Sequence, residues 1–159
     1  MTKGDIIPTI ISHLRALLDA GTQAARATTA AATDPDSKAE NKYDTRNLEA
    51  SYLARGQAFR VAETMEALEE FTALTPKAFS PGDAIAEGAL VSVSGSFGTD
   101  YYFIGPAAGG TEVQVDGTTV TVLTIGSPLG SKLLRRRAGD QFELQPGRPA
   151  TLVKITSVQ

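Results

Sequence analysis

The sequence predicts an α+β protein: a long antiparallel helical hairpin, followed by a small, mostly antiparallel sheet with one short helix. Three observations predict it. Before Pro76 glycine is scarce, Ala, Leu and Glu dominate, and apolar residues recur at helical spacing. After Pro76 come most of the glycines and prolines, with Val and Thr in strand-like alternation. Two long helical runs are separated by one charged stretch, ATDPDSKAENKYDT (residues 32–45), which has four acids, two lysines and almost no apolar side chain. The domain boundaries follow: residues 1–75 for a hairpin with an acidic tip, residues 76–159 for the sheet domain.

The first helix is expected to open near Asp5 as N-cap, with Pro8 tolerated in the first turn, where amides lack intrahelical partners. Ile7, Ile10, Ile11, Leu14, Leu17 and Leu18 form its apolar stripe, which fades into Gly21, Ala24, Ala25, Thr28 and Ala31. The second helix runs the other way, from Tyr43, Ala50 and Leu53 to a bulky end at Val61, Met65, Leu68, Phe71 and Leu74. Mirrored gradients pair best antiparallel, as a coiled coil within one chain. Arms of roughly 27 residues at about 1.5 Å rise give a reach on the order of 40 Å.

The strands are expected at Leu90–Ser94, Asp100–Ile104, Glu112–Val115, Thr118–Leu123, Gln141–Leu144 and Thr151–Val158. Asp116-Gly117 is a strong hairpin signal between the third and fourth. SPLGSKLLRRRAGD reads as one helix with Ser127 as N-cap, Pro128 at N1, basic residues in its last turn and Gly139 at its end.

Composition excludes several function classes. The chain has 159 residues, 42% hydrophobic, with net charge -3, so a generally basic, duplex-coating surface is not expected. Cysteine is absent, which removes disulfides, thiolate nucleophiles and cysteine zinc sites. His13 is the single histidine and has no ligand partners nearby in sequence. No self-contained catalytic constellation is visible. The N-terminal apolar run is interrupted by Asp5, Ser12, His13, Arg15 and Asp19 well short of the ~20 residues a membrane span needs. A cytoplasmic location, no membrane association and a monomer are expected.

The acidic stretch admits two readings. Asp34-Pro35 is a turn signal, and Ser37-Lys38-Ala39-Glu40 fits a capping box, with Asp36 and Glu40 favouring the helix dipole. Alternatively, carboxylates at the tip of a hairpin longer than its core requires act on something beyond the chain. The cluster Lys132, Arg135, Arg136 and Arg137 is likewise either nucleic-acid binding or a complement to the end of its helix. Gly126 to Lys132 superficially suggests a phosphate loop, but one residue too few separates its glycines and no glycine directly precedes the lysine.

The run from Ala89 to Val158 resembles the C-terminal domain of the Gre transcript cleavage factors. The resemblance lies in Val91-Ser92-Val93, Tyr102-Phe103-Ile104-Gly105, Ser127-Pro128-Leu129-Gly130 leading into Leu133-Leu134, and Ala138-Gly139-Asp140. Asp36, Ala39-Glu40-Asn41 and Tyr43 are similar to the acidic Gre tip. The resemblance implies an FKBP-like C-terminal domain seated on the rim of the secondary channel of bacterial RNA polymerase, with the hairpin passed down to the active centre. It implies an accessory factor rather than an enzyme, one that stimulates the polymerase's own cleavage of backtracked RNA. No cofactor of its own is implied; Mg²⁺ is shared with the polymerase and met by Asp36 and Glu40, with Asp34 as a weaker third acid. Ser127, Pro128 and Leu129, and more weakly Phe97 in the loop 94–98, are the expected polymerase contacts, the alternative being that Pro128 and Leu129 only start and pack the helix. Arg15, Arg26, Arg46, Arg55 and Arg60 lie along the hairpin, with Arg26 and Arg46 the expected contacts to the channel or to the nascent RNA 3′ end, the alternative being that these arginines are solvated or paired at i,i+4.

Two departures accompany the resemblance. The two key acids of the usual Gre tip stand three apart, whereas Asp36 and Glu40 stand four apart, with Lys38 and Ala39 between them. Asp34 resembles the extra acids of inhibitory Gre-like homologues, so a regulator that occupies the channel without stimulating cleavage is the alternative. A prolyl isomerase is disfavoured by the absence of Trp and the few aromatics of the second half. A dimerising coiled coil is disfavoured by an alanine-rich distal half suited to close packing within one hairpin.

Overall fold

A computed structural model describes residues 3–33, 46–80, 82–96, 98–144 and 151–159. Two helices, α1 (Lys3–Thr33) and α2 (Arg46–Ala73), precede a six-stranded sheet that carries one short helix. The strands are β1 (Leu90–Gly95), β2 (Gly98–Gly105), β3 (Glu112–Val115), β4 (Thr118–Thr124), β5 (Gln141–Glu143) and β6 (Leu152–Val158), with α3 (Pro128–Leu133) between β4 and β5. The chain forms two compact units, one of residues 12–68 and one of residues 1–11 with 69–159.

In the unit of residues 12–68 the two helices pair antiparallel. A Cβ on Gly21 would lie 3.1 Å from Val61 Cγ2, and Thr28 Oγ1 donates to Gln57 Oε1 at 2.8 Å. Moving forward on α1 therefore moves backward on α2. The half-buried and buried positions recur at alternating steps of three and four: Leu14, Leu18, Gly21, Ala25 and Thr28 on α1, and Ala54, Gln57, Val61, Thr64 and Leu68 on α2. This is the heptad seam of a coiled coil. It differs from the expected stripe in detail. Leu17, Leu53 and Met65 are exposed large hydrophobics, and Gln57 and Thr64 hold seam positions instead. Spacing decides which side faces the partner helix, and the apolar residues here do not all fall on it.

In the other unit the strand order is β3-β4-β2-β1-β6-β5. The sheet is antiparallel except for one pair. From β2 the chain passes to the edge strand β3 and turns back through Asp116 and Gly117, at φ 50° and 75°, laying β4 parallel beside β2. Positive φ at both central residues is what a two-residue hairpin of matching twist requires.

Both faces of the sheet are covered. On one, Val91, Val93, Ile104, Leu123, Val153 and Ile155 pack with Ile85, Ala89, Leu133 and Phe142. On the other, the Phe71 ring at the end of α2 lies 6.2 Å from that of Phe103 and sits against Gly105, where a Cβ would stand 2.7 Å from Phe71 Cζ. Ile6, Ile7 and Ile10 of α1 are buried in the same unit. Ser92 is buried within β1, and its hydroxyl is satisfied by Thr156 Oγ1 at 2.6 Å and Ser157 Oγ at 2.7 Å.

Two helix boundaries differ from expectation. Helix α1 already includes Lys3, so Asp5 stands in its first turn rather than at the cap, and Pro8 falls one turn later. The amide bond that Pro8 forgoes would reach Gly4, at the very start of the helix, where its loss costs least. Helix α3 ends at Leu133, not near Gly139. The Leu134 amide makes the last helical bond, to Gly130 O, and Arg135 then adopts φ 66° while its amide donates to Ile85 O and Arg136 O accepts from Ile85 N. Pairing with a distant segment stops the helix; Arg135, Arg136 and Arg137 lie beyond it.

Candidate docking site

The SPLG segment builds a surface. Ser127, at φ -71° and ψ 155°, caps α3: its Oγ accepts the Gly130 amide at 3.1 Å and donates to Thr124 O at 2.8 Å. Gly130 has no alternative, because a Cβ there would lie 2.0 Å from Thr124 O. Both residues thus hold the helix down on the end of β4. Of the two between them, Pro128 is exposed, while Leu129 is half-buried and packs against the core of the sheet. With Tyr102, Lys132 and Leu144 they line a depression of about 360 Å³.

Each wall of that depression is fixed. Lys132 Nζ donates to Glu143 O at 3.2 Å and to Leu144 O at 2.9 Å, which ties the end of β5 to α3. The Tyr102 hydroxyl donates to Asp100 Oδ2 at 3.3 Å. Burial, then the Asp100 charge and its hydrogen bond, push the Tyr102 phenol from 10.0 up to about 12. It is therefore a neutral donor throughout the physiological range. An apolar concavity with pinned walls and no nucleophile or general base suits binding rather than catalysis.

The basic cluster beside it is largely spent on backbone carbonyls. Arg136 Nε donates to Lys132 O at 2.7 Å and its guanidinium lies over Phe142, 5.2 Å from the ring centroid. Arg137 donates to Gly82 O. Only the Lys132 carbonyl belongs to α3, so the complement to the helix end is local, and the Lys132 and Arg137 side chains join separate segments.

Of the expected contacts, Pro128 and Leu129 come together on this surface, and Ser127 serves beneath it as the cap. Phe97, Asp34, Asp36 and Glu40 lie outside the described residues, as does the side chain of Arg46, the first residue of α2. Arg26 is exposed on α1, beside an open depression of about 520 Å³ lined chiefly by Ala25, Ala30, Ala58 and Val61. Sequence reasoning did not place Tyr102, Lys132 or Leu144 at this surface. The signal for Tyr102 was present: strand alternation puts it on the same face as Ile104, below the start of α3. Among the described residues no group of His, Asp and Glu could hold a metal ion, and no helix is long and apolar enough to cross a membrane.

No protein-family model and no curated protein sequence matches the chain. Solved structures of Gre-type factors are similar to it. The GreA factor homolog 1 (Gfh1) protein of Thermus thermophilus is 18% identical over 94% of each chain, with a TM-score of 0.37. Gfh1 of Thermus aquaticus is 14% identical over 93% of this chain and 92% of its own, at 0.39. The prokaryotic transcription elongation factor GreA/GreB from Nitrosomonas europaea is 18% identical over 74% of this chain and 95% of its own, at 0.36. At these scores the whole-chain likeness decides nothing about function, which is left to the chain's own residues.

Proposed function

We propose that the chain is a Gre-like factor of bacterial RNA polymerase, which docks through the Pro128–Leu129 surface and offers the carboxylates of Asp36 and Glu40 to the polymerase active centre through the secondary channel. One observation carries the reading. The Gly21–Val61 and Thr28–Gln57 contacts make α1 and α2 an antiparallel hairpin, and the connection between its arms is the segment that holds Asp34, Asp36 and Glu40. Two carboxylates four residues apart on such a connection would serve as donors for an ion held elsewhere.

Carboxylate oxygen is the donor chemistry Mg²⁺ accepts, and that ion commonly takes only one or two carboxylates beside water and phosphate. When bound in the polymerase, Mg²⁺ supplies charge stabilisation for phosphodiester hydrolysis. Asp36 and Glu40 would add negative charge and orient water at the extruded RNA end. The factor is an accessory and the polymerase the enzyme. Asp34, a third acid two residues before Asp36, favours one second reading: a channel-occupying regulator that does not stimulate cleavage.

The test is RNA cleavage by stalled, backtracked bacterial RNA polymerase in Mg²⁺, with wild type, Asp36→Ala and Glu40→Ala. Release of 3′ RNA fragments that either substitution abolishes, with binding intact, is the expected outcome. Binding without cleavage, or slowed cleavage, assigns the regulatory reading.

A further inference from the structure

The two edges of the sheet are finished differently. β5 forms one edge and β3 the other. Ile155 N donates to Asp140 O at 2.9 Å and Leu144 N to Thr151 O at 2.9 Å, so by antiparallel alternation Phe142 also faces β6, while Gln141 and Glu143 turn their carbonyls outward. Both outward carbonyls are taken: Arg136 Nη1 donates to Gln141 O at 3.3 Å and Lys132 Nζ to Glu143 O at 3.2 Å. That edge is closed by the chain's own cations.

The β3 edge has no such cover. Val122 N donates to Thr111 O at 2.8 Å, and the two-residue turn at Asp116 and Gly117 makes Val115 and Thr118 a bonded pair, so Val113 and Val115 direct their backbone groups at β4. Glu112 and Gln114 therefore turn both N–H and C=O to the open side, and both residues are exposed. Among the described residues no side chain caps these two carbonyls; the Gln114 side chain itself reaches back to Thr119 Oγ1 at 2.6 Å. Val113 and Val115 are buried on the opposite face and anchor the strand.

Charge selects the occupant. Residues 106–125 hold Glu112 and Asp116 and no Lys or Arg, so two copies paired edge to edge would bring acids together with no cation between them. We propose that β3 accepts an extended, basic segment of another protein as an added strand, with Lys or Arg opposite Glu112 and β-branched apolar residues on the side of Val113 and Val115. Main-chain bonds to Glu112 and Gln114 supply the pairing, and the alternation of basic and apolar side chains supplies the selectivity. The edge is no part of the depression at Pro128 and Leu129, and the inference does not depend on docking there.

The probe is a short capped peptide of alternating lysine and valine, titrated at low salt into the full isotope-labelled chain and followed by NMR. Saturable shifts of the Glu112 and Gln114 amides are expected, with those of Gln141 and Glu143 on the covered edge unmoved. Gln114→Pro removes one outward N–H at a position that edge strands tolerate; it is expected to leave urea unfolding nearly unchanged and to weaken the peptide by roughly fivefold or more. The same peptide N-methylated on its pairing side tests those bonds on the unaltered protein and is expected to lose at least as much. Glu112→Lys is expected to turn the preference toward a glutamate–valine peptide. No binding, equal binding of the N-methylated peptide, or shifts centred away from β3 overturns the inference. Self-association of the wild type that Gln114→Pro abolishes also overturns it, assigning the edge to a second copy.

Discussion

At the scale of single residues, the SPLG segment is explained by sterics before any partner is invoked. Gly130 carries the sharpest expectation: Gly130→Ala drives a methyl into the Thr124 carbonyl, so α3 must lift. Overpacking of this kind costs about 1–3 kcal/mol, and urea denaturation should show a loss at or above the top of that range. Tyr102 carries a second expectation. Its folded pKa, raised to about 12, lies above the ordinary value of 10.0. The stability it contributes is therefore fully present below pH 10 and is lost as pH rises toward 12. A spectrophotometric titration should find the Tyr102 phenol ionising late, and Asp100→Asn should bring it down only in part, since burial is the largest cause.

At the scale of elements, the strands were legible because a period of two is a strong signal and Asp116-Gly117 marks its turn unambiguously. The parallel pairing of β2 and β4 was not, because local pattern does not say which strand a returning chain lies beside. The end of α3 was hidden for a related reason: Arg135 takes a left-handed conformation to pair with Ile85, fifty residues earlier, and no local residue announces it. In the candidate site, Pro128 and Leu129 followed from the helix cap, whereas Lys132 and Leu144 meet only once β5 is placed. The hairpin was legible as a hairpin, but its seam runs through Gln57 and Thr64 while Leu53 and Met65 face outward. That arrangement has a measurable consequence. The Thr28–Gln57 hydrogen bond links the two arms, and a double-mutant cycle of Thr28→Ala with Gln57→Ala should give a coupling of about 0.5–1.5 kcal/mol in thermal or denaturant unfolding. A coupling near zero would mean that small-residue packing alone sets the register.

At the scale of the whole molecule, a mildly acidic chain carries Asp34, Asp36, Glu40 and Asp44 on the connection between α1 and α2 and presents a pinned apolar depression beside α3. The proposed role as an accessory to another enzyme stands or falls on whether the depression meets that enzyme. The most direct test is saturation binding of the labelled 159-residue chain to bacterial core RNA polymerase, comparing wild type with Pro128→Asp. Pro128 is exposed at N1, where a first helical turn accepts an acidic residue, so the fold should survive while the apolar lip of the depression is lost. Saturable one-to-one binding, weakened by roughly tenfold in the variant as expected for an apolar interface contact turned into a buried charge, is the predicted result. No binding by the wild type, or equal binding by the variant, would contradict the account.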